Sequence, residues 1–340
     1  SPHDPETTMT EQPEKGSTMN RREFMIRAAK AAATVAASGY IVHRFRDEEG
    51  SSAVETRPHY SFRSFAVPGT ESRMSIVTGA NRRRTLNAAL DAIGGMETFI
   101  KPGDRVLLKV NAAFALPPIL AATSHPDLVS ELVKLCTAAG ATRVVVTDHP
   151  INDARACFNL TGIARAAEEA GAQVVIPRQD DFLPFSLEGG RLINNWPVLA
   201  RPFEDITKVI GLAPVKDHHR SGASMTLKNW YGLLGGRRNV FHQEIHEIIR
   251  ELALMIKPTL VILDGTESMM RNGPTGGSLS DLKPTHTMIA STDPVAADAF
   301  GATLLGRRLS DLPYITKAAI SGAGTANFEL LSPKRINMNG

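Results

Sequence analysis

Short runs of β-branched and other apolar residues alternate along the chain with longer stretches whose apolar positions recur at helical spacing. Arg105 to Val110 reads as a buried strand after the turn Lys101 Pro102 Gly103 Asp104. Arg143 to Thr147, Gln173 to Ile176, Thr259 to Leu263 and Met288 to Ser291 read the same way. Helices are predicted over Asn81 to Ile93, Pro126 to Ala139, Gly162 to Ala170, Glu244 to Ile256 and Pro294 to Leu305. Pro126 and Pro294 stand in first turns, and Gly140 and Gly171 just past ends, where each residue type is tolerated best. Strands alternating with helices predict an α/β fold, a mostly parallel sheet with helices on both faces. Residues 178–207 break the alternation with Asp, Pro and Gly, and predict a hairpin or an insertion over the sheet.

The first 72 residues follow a different pattern. Residues 1–18 are polar and have too little apolar surface to offset the entropy of ordering, so they are expected to be disordered. Within residues 19–46, Asn20 Arg21 Arg22 Glu23 Phe24 Met25 precedes an Ala-rich run from Ala28 to Val42, which resembles a twin-arginine export signal. Arg27 and Lys30 interrupt that run, whereas a membrane span needs about 20 mostly apolar residues. An amphipathic helix with two basic residues at its start is the plainer alternative. The signal reading implies the export machinery as a partner and a periplasmic or extracytoplasmic location, with a membrane anchor if the signal stays uncleaved. Residues 47–72 are charged and irregular and read as a linker, leaving 73–340 as the α/β domain.

Polar residues of differing chemistry are densest just after the apolar run Val209 to Val215. Pro214 places the end of a strand there, and Lys216 Asp217 His218 His219 Arg220 follow, with Thr226, Lys228, Asn229, Trp230, Tyr231 and Gly232 after a small-residue turn. The arrangement Lys216, His218, Thr226, Lys228, Asn229, Gly232 resembles the central motif of the family known as domain of unknown function 362. Val106 to Asn111, Thr123 with Pro126, Val261 to Gly265, Gly273 Pro274, and Ala290 to Asp298 resemble its other segments, in order, from about Lys101 to Leu305. Many members of that family carry a ferredoxin-like module. The present sequence has Cys136 and Cys157 in different segments and no cluster-ligand spacing, so no iron–sulfur ligands are expected in this chain.

On this map Asn111, Asp148, Lys216 to His219, Asp264 and Asp293 each follow a predicted strand. In a parallel sheet those ends share one edge, and the groups converge on one crevice. Lys109, Lys216 and Lys228 supply positive charge there; Asn111, Thr226 and Asn229 supply directional hydrogen bonds; and the backbone of Gly273 and Gly276 allows close approach, a set suited to a small anion. His242 and His246, four apart, together with His218, His219 and Asp148, form a candidate set for a divalent metal ion, though histidines at this spacing also occur as surface or capping residues. For Asp293, capping of the next helix is the better reading, and Asp298 within that helix can hold a neighbouring loop.

The formal net charge of +3 is spread without a basic run, which argues against nucleic acid as a partner. No Walker loop and no G-x-S-x-G elbow is present. The residues therefore predict an exported, metal-dependent enzyme for hydrolysis or group transfer on a small anionic substrate, with Lys216, His218 and Asp264 as catalytic candidates. The alternative is a non-catalytic binder of a metal, anion or cofactor, or an accessory to a periplasmic redox partner.

Overall fold

The computed structural model describes residues 59–338; the polar stretch 1–18, the twin-arginine-type segment 19–46 and the first part of the segment 47–72 lie outside the described residues. Eleven strands follow in chain order: β1 (Met74–Thr78), β2 (Arg105–Lys109), β3 (Arg143–Thr147), β4 (Gln173–Val175), β5 (Phe182–Phe185), β6 (Trp196–Leu199), β7 (Lys208–His218), β8 (Gly222–Ser224), β9 (Leu260–Met269), β10 (Leu282–Ser291) and β11 (Lys334–Asn337). The α-helices are α1 (Arg82–Asp91), α2 (Met96–Phe99), α3 (Pro126–Ala138), α4 (Ala154–Leu160), α5 (Ile163–Glu169), α6 (Thr226–Asn229), α7 (Ile245–Met255), α8 (Pro294–Leu304) and α9 (Pro313–Ile320).

Nine strands make one sheet in the order β11-β1-β10-β9-β7-β2-β3-β4, with β8 paired to the end of β7. β9, β7, β2, β3 and β4 are parallel neighbours. Alternation along these strands feeds two cores. Val106, Leu108, Ile210, Leu212 and Ile262 pack with α1, α3 and α5 on one face, whereas Leu107, Val209, Ala213, Val261 and Leu263 pack with α7, α8 and α9 on the other. The predicted α/β architecture, mostly parallel and covered on both faces, is the observed one.

Three features differ from the sequence reading. β10 runs antiparallel to both β1 and β9, so Ser291 and the following Asp293 lie at the opposite edge from Lys109 and Lys216. Asp293 is thereby removed from the crevice; it caps α8, accepting Ala296 N at 2.9 Å and Thr325 N at 2.8 Å. Pro214 does not end its strand. β7 continues to His218, and the register against β9 shifts between Pro214 and Lys216, a bulge that accommodates a residue with no N–H to donate. The polar cluster is therefore carried on a strand rather than on the loop after it.

The end of the segment read as linker is fastened to the domain. Tyr60 N donates to Pro184 O and Phe65 N to Lys257 O, each at 2.9 Å, while Phe62 stacks edge-on against Phe185 and Phe203. Residues 178–207 contain a separate two-stranded antiparallel sheet formed by β5 and β6.

Asp298, buried in α8, fixes the start of α6. It accepts Thr226 Oγ1 at 2.5 Å, Thr226 N at 2.8 Å and Leu227 N at 3.2 Å. Burial pushes its carboxyl up to about 7. The Asp298→Ala variant leaves the buried N–H groups of Thr226 and Leu227 without their acceptor, while the Thr226 hydroxyl keeps Pro294 O, and should lose about 2–4 kcal/mol. A raised carboxyl favours the folded state fully below its ordinary value, and that advantage fades as pH rises toward 7. Urea unfolding should accordingly show a larger deficit for the variant at pH 5 than at pH 8.

Candidate functional site

From β2 the chain winds outward through β3 to β4, then returns to the other side of β2 as β7 and continues to β9. The winding direction reverses between β2 and β7, and loops leaving their carboxyl ends diverge, which opens a crevice at that point. Lys109 ends β2, Asp148 follows β3, Lys216 and His218 end β7, and the single turn of α6 brings Lys228 and Asn229 across the gap.

Asn229 spans the two strands where they part. Its Nδ2 donates to Lys109 O at 3.3 Å and to Leu212 O at 3.2 Å. Beneath it lies a buried ion pair between Lys109 Nζ and Asp148 Oδ1 at 2.7 Å. Lys109 Nζ also donates to Val110 O at 2.7 Å and Asn229 O at 2.8 Å. Asp148 accepts Ala112 N at 2.7 Å and His149 N at 2.9 Å. Burial lowers the Lys109 pKa, and the Asp148 carboxylate opposes that shift. Gly232 explains its place in the motif: a Cβ there would fall 2.0 Å from Asp148 Oδ1 and 2.8 Å from Lys109 Nζ.

Above the pair is a cavity of about 190 Å³ in which Asp148 is the one carboxylate among the lining side chains. Lys216, 1% exposed, donates to Ala122 O and lies 5.1 Å from the centre of the Phe114 ring. Burial, then the neighbouring Lys228, pushes its amine down to about 7. Lys228 Nζ lies 5.1 Å over the Tyr231 ring and makes no hydrogen bond to the described residues. Burial, then Arg238, pushes it down to about 8. His218 Nδ1 accepts Arg220 N and Ser221 N, both at 3.2 Å, so its ring proton sits on Nε2. Burial, then Lys228, pushes His218 down to about 2, and the ring is neutral. Asn111 Oδ1 is buried there without a partner among the described residues.

The structure thus brings Asn111, Asp148, Lys216, His218, His219, Lys228, Asn229 and His242 to one cavity, with Lys109 directly behind it. Others stand apart. Thr226 is engaged by Asp298 and by Pro294 O at 3.1 Å. Asp264 pairs with Arg82 at 3.2 Å and accepts Thr266 N at 2.9 Å. Gly273 packs on β7, where a Cβ would fall 1.8 Å from Asp217 O, and its neighbour Pro274 lines the cavity; Gly276 lies against Met269. His246 stacks on Tyr314 at 6.1 Å and shares an outer groove with His242.

The histidine rings at the cavity lie nearly parallel to one another. His218 is stacked on His219 at 4.9 Å and on His242 at 6.2 Å, with ring planes within 9° and 12° of parallel. Among the described residues no group of three His, Cys, Asp or Glu side chains is placed to hold a metal. Both cysteines are buried and free.

Sequence reasoning missed Arg238. Its guanidinium donates to Tyr231 O, Leu234 O, His149 O and Pro150 O at 2.8 to 3.3 Å, tying the loop after β3 to the loop after α6. Its only signal was a place beside the Gly235 Gly236 turn.

The family described as Domain of unknown function (DUF362) matches residues 106–303. A thylakoid-associated protein of Synechocystis sp. is 28% identical over 262 residues, covering 73% of this chain and 78% of that relative. Among solved structures, the lactate racemase apoprotein from Thermoanaerobacterium thermosaccharolyticum is similar with a TM-score of 0.37 and 9% identity, over 75% of this chain. The chain spans 62% of the length of that solved chain.

Removing one member of the buried pair strands the other. Asp148→Asn should cost about 3–5 kcal/mol, and adding Lys109→Met in the same chain should recover a large part of it. A double-mutant cycle in urea measures both; equal losses in the single and double variants would contradict the pairing.

Proposed function

The chain belongs to the family described as a domain of unknown function (DUF362), and we propose that it is an enzyme whose cavity at the switch point binds a small organic anion. The observation that carries this reading is the charge balance of the cavity. Asp148 is committed to Lys109, so Lys216 and Lys228 face the same small space with no carboxylate of their own. Lys216 is buried and Lys228 half-buried; holding two amines there without counter-charge destabilises a fold, and an incoming anion supplies what is missing. Asn111 Oδ1, also unpartnered, adds an acceptor for a substrate hydroxyl or amide.

An enzyme is favoured over a passive binder because both amines are tuned toward neutral pH, where one group can change protonation during a reaction. The chemistry is placed with Lys216, Lys228 and the Nε2–H of His218. Asp264, bound to Arg82, is given no part in it. Location is proposed to be extracytoplasmic and close to a membrane, supported by Arg21 Arg22 and Phe24 in the signal-like segment and by the thylakoid association of the Synechocystis relative.

Phosphate and small carboxylates should raise the Tm of the wild type by about 5 °C at a hundredfold excess over Kd. The shift should vanish in Lys228→Met, persist in the remote Arg165→Met, and weaken as pH rises through about 7 to 8, where the two amines lose their protons. Because the Lys216 pKa is lowered on folding, its cost is fully present below about 7 and fades as pH climbs toward 10.5. Lys216→Met should therefore gain about 1–3 kcal/mol of stability at pH 6 without added anion, while losing anion binding. An unchanged or lower urea midpoint would count against an uncompensated charge.

For location, replacing both Arg21 and Arg22 with Lys should leave the protein in the cytoplasmic fraction of an exporting bacterial host, whereas the wild type should fractionate outside it. Equal fractionation of the two proteins would remove the twin-arginine part of the reading.

A further inference from the structure

We propose that Lys216 is a nucleophile: its amine attacks the carbonyl carbon of a small 2-oxo or aldehydic acid held in the switch-point cavity and joins it as an imine. This rests on the anion-binding reading above and names the substrate class within it.

The environment of Lys216 suits an amine better than an ammonium. An ammonium carries three donors, and Lys216 Nζ finds one acceptor, Ala122 O, with the Phe114 ring on another side. The charged and titratable groups facing it from each neighbouring element act together. Lys228 on α6 is positive, Lys109 of β2 and Asp148 after β3 offset one another, and His218 on the same strand is neutral. Their sum favours the unprotonated amine, as for lysines activated by desolvation and a cationic neighbour. Lys216 and Lys228 are pushed down to about 7 and about 8, so near neutral pH the first can be an amine while the second remains an ammonium.

The remaining parts match the substrate class. Lys228, without a hydrogen bond in the described residues, can hold the carboxylate. The Nε2–H of His218 can donate to the carbonyl oxygen as charge develops there. A volume near 190 Å³ admits an acid of a few carbons and excludes larger ones. Addition forms the C–N bond and moves the carbonyl π pair to oxygen, which takes the proton lost by nitrogen. The resulting hydroxyl accepts a second proton from the Lys228 ammonium and leaves as water, giving the iminium. Lys228 is then reprotonated from solvent. No oxidant or reductant is needed.

The test is reductive trapping on the full chain. Glyoxylate or pyruvate with cyanoborohydride should give one stable adduct per chain, mapped by peptide mass spectrometry to Lys216, where glyoxylate leaves a carboxymethyl group. Trapping should be at least tenfold faster at pH 7.5 than at pH 5.5, and should disappear in Lys216→Arg. Lys228→Met, with its fold checked by circular dichroism, should slow trapping at low substrate concentration.

Thermal stabilisation by phosphate, which has no carbonyl, is measured in parallel. Stabilisation without an adduct at Lys216, or with adducts spread over exposed lysines, overturns the nucleophile and leaves the anion pocket standing. No stabilisation and no adduct overturns both. An adduct at Lys216 without phosphate stabilisation supports the nucleophile and counts against the general anion pocket.

Discussion

Two strands that part company at a sheet's switch point need something to hold the gap, and here it is the buried pair of Lys109 and Asp148 bridged by Asn229. The pair joins the end of β2 to the loop after β3, and Asn229 Nδ2 reaches across to Lys109 O and Leu212 O. The Lys109 ammonium has three acceptors, and both oxygens of Asp148 accept at least one hydrogen bond, which is the condition under which buried charge can be tolerated. Gly232 must lack a side chain for the same reason, since a methyl group would occupy the space of the carboxylate. Much of the family motif thus serves to build the floor of the cavity.

With Asp148 spent in that floor, the next layer has an excess of positive charge. Lys216 and Lys228 sit above a neutral pair, and the nearest histidine is held neutral by burial and by backbone donors on Nδ1. A protein optimised for stability alone would fill such a space with apolar side chains. Retaining two amines there makes sense if a ligand completes the charge, and the proximity of their pKa values to neutral lets protonation follow ligand binding.

The sequence made the fold class readable because buried parallel strands are apolar runs, as at Val106 to Leu108, Val144 to Val146 and Val209 to Val215. Strand direction has no such signature, which is why antiparallel β10 carried Asp293 to the wrong edge in the sequence reading. Pro214 was misleading because a bulge absorbs its missing N–H, and bulges depend on the partner strand. Among the site residues, Lys216, His218 and Lys228 were legible as a dense polar cluster. The roles of Thr226 and Asp264 were not, because Asp298 lies 72 residues from the first and Arg82 lies 182 from the second. Arg238 had only the nearby Gly235 Gly236 pair as a signal; its role comes from four carbonyl groups that only the folded chain assembles.

Charge pairing also differs between the cavity and its approach. His242 borders both the cavity and the outer groove. In that groove Arg191 is paired with Glu244, and Lys317 with Glu247. Arg220 is exposed, and its guanidinium has no partner among the described residues. An anion approaching from this side meets largely neutralised charge outside, one free cation at Arg220, and then two uncompensated amines in a space of low dielectric. Coulomb attraction strengthens along that path because solvent screening falls as the charges become buried.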